Sequence, residues 1–175
     1  MHQLLLLRHA KSAHKDKSLM DFDRPLAKRG RKDTVRIGRW LSDENLIPDL
    51  VISSPAKRAR QTAKRVCKQV GIAADKIQWE DCVYDANVRT LLKMLTEVPE
   101  ETGTVMLVGH HEGLETMILR MSRWADIPAD SKLIPTCAVA RLEIDGPWSE
   151  IKKCQARLRS ITRPRGLAQR PRSCV

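Results

Sequence analysis

Aromatic side chains are scarce in this chain: four Trp, one Tyr and one Phe among 175 residues. A module that reads nucleic acid by stacking bases on Phe and Tyr would have few platforms here. Long apolar runs are missing too. The longest uncharged stretch, Thr102 to His111, is about half the roughly 20 residues a membrane helix needs. Leu4–Leu7 is too short for a signal-peptide core, and Arg8 follows at once. A cytoplasmic protein is expected. Gly (8) and Pro (9) are too few for a low-complexity chain, and no internal repeat is visible. The five Cys (Cys67, Cys82, Cys137, Cys154, Cys174) are odd in number and form no CxxC pair. Free thiols are expected, not disulfides or zinc, and no metal or other cofactor is called for.

What is present is an ordinary globular composition, 42% hydrophobic and 30% charged, with the length of one domain. The net charge of +11 is unevenly spread. From Lys152 onward there are eight basic residues and no acidic one, so most of the excess lies in an Arg/Pro-rich C-terminal segment. The expected organisation is a domain over 1–156 and a flexible basic tail over 157–175. Such a tail could hold a polyanion, nucleic acid or polyphosphate, by non-specific charge.

Apolar runs at Gln3–Leu7, Leu50–Ile52, Ile77–Trp79 and Thr104–Val108 read as short strands. Cys137–Ile144 alternates like a half-buried strand, with Trp148–Cys154 as a candidate partner. Helices are expected from Asp23 to about Asn45, from Ser54-Pro55 to about Val70, over Asn87–Val98 and over Gly113–Arg123. Strands alternating with helices predict an α/β fold: an α/β/α sandwich on a mainly parallel sheet.

Three of these strands run straight into ionisable residues: Arg8-His9, Ser53-Ser54-Pro55-x-x-Arg58, and Gly109-His110. In open α/β sheets ligands bind at the carboxyl ends of the strands. Two guanidiniums and two imidazoles converging there would suit an anion, most naturally a phosphoryl group. Each fragment alone also reads as structure: a strand end, a helix cap, a turn. The combination in one chain is what points to phosphate.

Taken in order, the motifs are Arg8-His9-Ala10-Lys11-Ser12, Asp23-Arg24-Pro25-Leu26-x-x-Arg29-Gly30, Ser53-Ser54-Pro55-x-x-Arg58-Ala59-x-Gln61-Thr62, and Val108-Gly109-His110. This series resembles the histidine phosphatase superfamily, also called phosphoglycerate mutase-like, and within it the SixA-like phosphohistidine phosphatases. The resemblance covers residues 1 to about 150. Two departures stand out: Ala10 where most of the superfamily has Gly, and His111-Glu112 where Asn commonly follows the histidine. His-x-Glu is also half of a zinc deaminase signature, but the Pro-Cys-x-x-Cys half is absent.

The resemblance implies a metal-independent phosphatase in which His9 is the nucleophile and carries a phosphohistidine intermediate. It implies that Arg8, Arg58 and His110 hold the phosphoryl oxygens, and that phosphate or vanadate occupies the site. Ser12 and His111 are candidate substrate contacts. The general acid falls in a window offering Glu80, Asp81 and Asp85, with Asp85 the first choice. The expected substrate is a phosphohistidine protein. A small phosphorylated metabolite on the same site is the alternative, as is a polyanion-binding module built on the basic helix around Lys57–Lys68 and the tail. A mutase is disfavoured by the short chain.

Overall fold

Strand β1 (His2–Arg8) carries four consecutive fully buried leucines. Successive side chains on a strand point to opposite faces, so an unbroken apolar run needs cover on both. Leu4 and Leu6 pack into one core cluster, Leu5 and Leu7 into the other. Strand β4 (Thr104–Gly109) repeats the pattern, with Val105 and Leu107 beside Leu4, and Met106 and Val108 beside Leu5.

The computed structural model describes residues 1–13, 18–122, 132–152 and 156–167. Its sheet has the order β3-β2-β4-β1-β5-β6, with β2 over Leu50–Ser53, β3 over Ile77–Trp79, β5 over Val139–Ile144 and β6 over Ala156–Thr162. The β3-β2-β4-β1 pairings are parallel; β5 and β6 add antiparallel pairs at one edge. Helices α1 (Lys28–Asp43) and α2 (Lys57–Gln69) cover the face of Leu5 and Leu7. Helices α3 (Val88–Leu95) and α4 (His111–Met121) cover the other. The buried stripe of α2, Ala59, Thr62, Ala63, Val66 and Cys67, falls at the spacing of one helical face. This is the expected α/β/α sandwich on a mostly parallel sheet. No helix among the described residues is long and apolar enough to cross a membrane. Cys67, Cys82 and Cys137 are free thiols; Cys154 and Cys174 lie outside the described residues.

Four local expectations are corrected. The first helix begins at Lys28, not Asp23. Asp21–Asp23 is a separate 3-10 turn, and the next amides are spent elsewhere: Leu26 N–H donates to Gln61 Oε1 (2.7 Å) and Ala27 N–H to the Lys11 carbonyl (2.9 Å). The second helix begins at Lys57, because Pro55 and Ala56 stay extended while the Ser54 hydroxyl accepts from Ala56 N–H. The partner of β5 is not Trp148–Cys154 but β6; Trp148–Glu150 is a 3-10 turn. Consequently the supposed tail starts as an edge strand, and Pro164–Leu167 adds a short helix, α5, packed on α1. Only 168–175 of that segment lies outside the described residues.

Register is what positions the site. Leu7 pairs with Val108, and Val108 with Ser53, so β1, β4 and β2 end in one row. The ladder continues one step beyond, with His9 N–H on the Gly109 carbonyl (3.0 Å) and Ser54 N–H on the Val108 carbonyl (3.0 Å). The loop after β1 is pinned from α2, where the Thr62 hydroxyl accepts from Ala10 N–H (3.0 Å) and donates to the Arg58 carbonyl (2.7 Å). Gly30 lets α1 lie directly on the Lys11 backbone; a Cβ there would collide with the Lys11 carbonyl. Gly30→Ala is therefore expected to cost about 1–3 kcal/mol in urea unfolding. It should also lower catalytic rate by displacing the residues after His9.

Candidate active site

The ends of the three strands bring together the side chains that the motifs carried. His9, Arg58, Asp85, Ala86, His110, His111, Glu112 and Gly113 line one cavity of about 310 Å³. The His9 and His110 rings are 5.2 Å apart between centroids. Arg8 stands at the flank, its guanidinium donating to the Ile134 carbonyl (2.9 Å). Burial lowers the Arg8 pKa, opposed by the charge of Glu115.

Hydrogen bonding assigns the two histidines opposite tautomers. His9 Nδ1 lies 2.9 Å from the Ala10 carbonyl, which can only accept, so Nδ1 carries the proton and Nε2 the lone pair. His110 Nδ1 lies 3.3 Å from Arg58 Nη2, which can only donate, so that nitrogen carries the lone pair. His110 Nε2–H then donates to the Ser54 hydroxyl at 2.9 Å. Both rings are held neutral. Burial is the main cause for His9, pushed down to about 3, with the nearby His110, Arg58 and Arg8 adding to it against the Ala10 bond. Burial and then Arg58 push His110 down to about 4, opposed by the carboxylates of Asp85 and Asp21.

Arg58 is 6% exposed, and its fork is filled. Nη1 donates to the Asp21 carbonyl (2.6 Å), and Nη2 lies 3.0 Å from the Asp21 carboxylate. Tyr84 completes the wall: edge-on to His110 (5.4 Å) and to Phe22 (5.1 Å), with Arg58 5.9 Å from its ring centre and its hydroxyl donating to Asp21 (3.4 Å). The lone Tyr and the lone Phe of the chain both sit here.

Of the other candidates, Asp85 reaches the cavity with a left-handed backbone (φ 51°), a conformation Asp tolerates better than most residues. His111 lines the cavity but pairs with Glu115 one turn along α4, at 2.6 Å. Ser12 is corrected: its nearly buried hydroxyl accepts from Arg24 (2.9 Å), and its backbone bridges Leu26, so it fastens the loop instead of lining the cavity. Glu80 and Asp81 do not line the cavity either. Asp21, Tyr84 and the Ser54 hydroxyl as an imidazole partner were missed by sequence reasoning. Asp21 gave no signal beyond lying in a charged loop, and Tyr84 only its rarity.

Residues 4–82 match the profile of the histidine phosphatase superfamily, branch 1. An uncharacterised protein of Mycobacterium tuberculosis is 30% identical over 164 residues, covering 91% of this chain and 100% of its own length. The protein given the SixA name in Agrobacterium tumefaciens is 31% identical, with a TM-score of 0.76, over 92% of this chain and 97% of its own. The chain belongs to the histidine phosphatase superfamily. Its SixA-named neighbour from Nakamurella multipartitia superposes with a TM-score of 0.79 at 26% identity, over 93% of this chain and 96% of that one. As a phosphatase of that superfamily, the protein has its ionisable cluster at the topological position the fold reserves for ligands.

The neutral histidines make a pH prediction. Unfolded, each imidazole titrates near 6.5; folded, it resists protonation down to about 3 or 4. Stability is thus fully present above about pH 6.5 and falls as pH drops toward those values, by about 1.4 kcal/mol per pH unit for each ring. Urea midpoints between pH 7 and 4.5 should fall for the wild type and fall less for His9→Asn.

Proposed function

We propose that this phosphatase hydrolyses phosphohistidine on a protein, through a phosphoryl-enzyme intermediate on His9. The observation that carries the reading is the His9 tautomer: Nδ1–H is committed to the Ala10 carbonyl, which leaves Nε2 with its lone pair on a ring that lines the cavity. A neutral imidazole is the nucleophilic form. The similarity to the SixA-named proteins over nearly the whole chain favours a phosphohistidine substrate.

In this reading His9 Nε2 attacks phosphorus as the substrate P–N bond breaks, and the departing imidazole nitrogen takes up a proton, for which Asp85 is the donor in the cavity. Water then attacks the phosphorus, giving a proton to the Asp85 carboxylate, the P–Nε2 bond breaks, and inorganic phosphate leaves. Arg8 and Arg58 donate to the phosphoryl oxygens, and the transfer relies on positioning and electrostatics without a metal. The phosphoryl group takes the place on Arg58 that the Asp21 carboxylate holds at rest. Burial and then the Arg58 charge keep His110 neutral at rest; the negative charge of the bound phosphoryl group opposes both, so His110 takes a proton from solvent and Nδ1 becomes a donor to the substrate.

With chelator present, phosphate release from a phosphohistidine protein should be lost on His9→Ala, by at least about 10³-fold, with an unchanged urea midpoint at pH 7.5. Release from small phosphoesters alone would move the substrate, and a rate that needs added zinc or magnesium would overturn the metal-free chemistry. Calorimetry of vanadate binding at pH 7.5, in buffers of different ionisation enthalpy, should show uptake of about one proton by the wild type and much less by His110→Gln.

A further inference from the structure

A second cavity, of about 440 Å³, lies at the same end of the sheet, and among the described residues it is lined by Lys11, Arg29, Lys132, Arg163 and Arg165 with one carboxylate, Asp33. That carboxylate is already spent: it is nearly buried and paired with Arg29 (3.5 Å) and Arg36 (3.0 Å). Among the described residues, Lys11, Lys132 and Arg165 therefore give the cavity a cationic lining. None of its residues lines the catalytic cavity.

Its position follows from the register. Thr162 at the end of β6 pairs with Val139, and Val139 with Leu7, so Arg163 leaves the sheet at the level where β1 gives way to Arg8 and His9. Two interstrand steps put these chain positions roughly 10 Å apart across the sheet. The walls are built from the backbone that holds His9. Cys137 N–H, just after the lining residues Pro135 and Thr136, donates to the Arg8 and His9 carbonyls (3.2 Å each). Lys11 is two residues past His9, and the Arg163 side chain ties the corner to the Lys132 carbonyl (3.2 Å). The basic cavity is thus held at a fixed offset from the nucleophile.

We propose that this basic cavity docks acidic side chains of the phosphorylated protein substrate, two strands across the sheet from the end of β1, while the phosphoryl group enters the His9 cavity. The identity of the partner rests on the phosphohistidine reading; the anion-binding surface does not. Several Asp or Glu side chains on one protein face would meet Lys11, Lys132 and Arg165 together, whereas a free phosphoamino acid spans only the His9 cavity. Docking of this kind steers encounter and lowers KM without entering the phosphoryl-transfer step.

The test uses a fluorescent, phosphate-free octapeptide of Asp and Glu, with vanadate saturating the His9 cavity. The wild type should bind it, and Lys132→Glu/Arg165→Glu should weaken binding at least tenfold, with Lys132→Ala/Arg165→Ala falling between. Arg65→Glu/Lys68→Glu makes the same change of charge on the outer face of α2 and should shift binding less than twofold. Equal weakening by both charge reversals would reduce the effect to net charge and overturn the docking surface, as would no weakening by either. In turnover, Lys132→Glu/Arg165→Glu should raise KM for an acidic phosphohistidine protein about tenfold, with kcat unchanged and free phosphohistidine processed as before. A wild type that binds the peptide but leaves phosphohistidine intact would overturn the substrate reading and keep the surface. A wild type that cleaves phosphohistidine but ignores the peptide would do the reverse.

Discussion

A guanidinium removed from water must find partners, since an unpaired buried charge costs several kcal/mol. Arg58 is in that position at the start of α2, and much of the site is arranged around satisfying it. The Asp21 carbonyl and carboxylate fill one side of its fork, and His110 Nδ1 meets the other. From this follow the 3-10 turn that delivers Asp21, the tautomer of His110 and the direction of the Ser54 bond, and Arg58 adds to the burial that lowers the proton affinity of both imidazoles. Tyr84 covers the same group from the side and links it to Phe22. At rest the Asp21 carboxylate stands on this guanidinium.

Beneath it lies the ladder of β2, β4 and β1. Parallel strands buried on both faces have little freedom of register, because a slip by one residue exchanges the faces of every side chain. The in-step ends of these strands convert three separate stretches of sequence into one constellation, and Thr62 and Gln61 lock the loops above them to α2. The motif residues that carry no charge are thus the fasteners of those that do.

Much of this was legible in the chain. Four leucines ending in Arg-His are short enough to read as a buried strand running into a loop, and the Arg8, His9, Arg58, His110 set could be gathered by assuming that ligands sit at strand ends. What stayed hidden depended on tertiary contacts without a local period. Asp21 sits in an irregular loop and takes its meaning from Arg58, 37 residues away. Ser12 reads as a phosphate-reaching hydroxyl until Arg24 is seen to occupy it. The helix start at 23 was misplaced because the Leu26 and Ala27 amides bond across the fold, and the start at 55 because the Ser54 hydroxyl takes the Ala56 amide before the helix begins. The basic C-terminal segment read as a tail because its alternation is masked by arginines: Leu158 faces the core between the exposed Arg157 and Arg159.

The ladder also bears on how such a scaffold can diversify. Insertions within β1, β2 or β4 would throw His9, Arg58 and His110 out of step together, so the transfer chemistry is confined to a narrow set of neighbours in sequence space. The rim is under no such constraint. Loop length tolerates change at small thermodynamic cost, so a segment such as the β6–α5 corner, which does not line the His9 cavity, can be rewritten while the strand ends stay fixed. New substrates would therefore be acquired from the outside inward, with the reaction inherited unchanged.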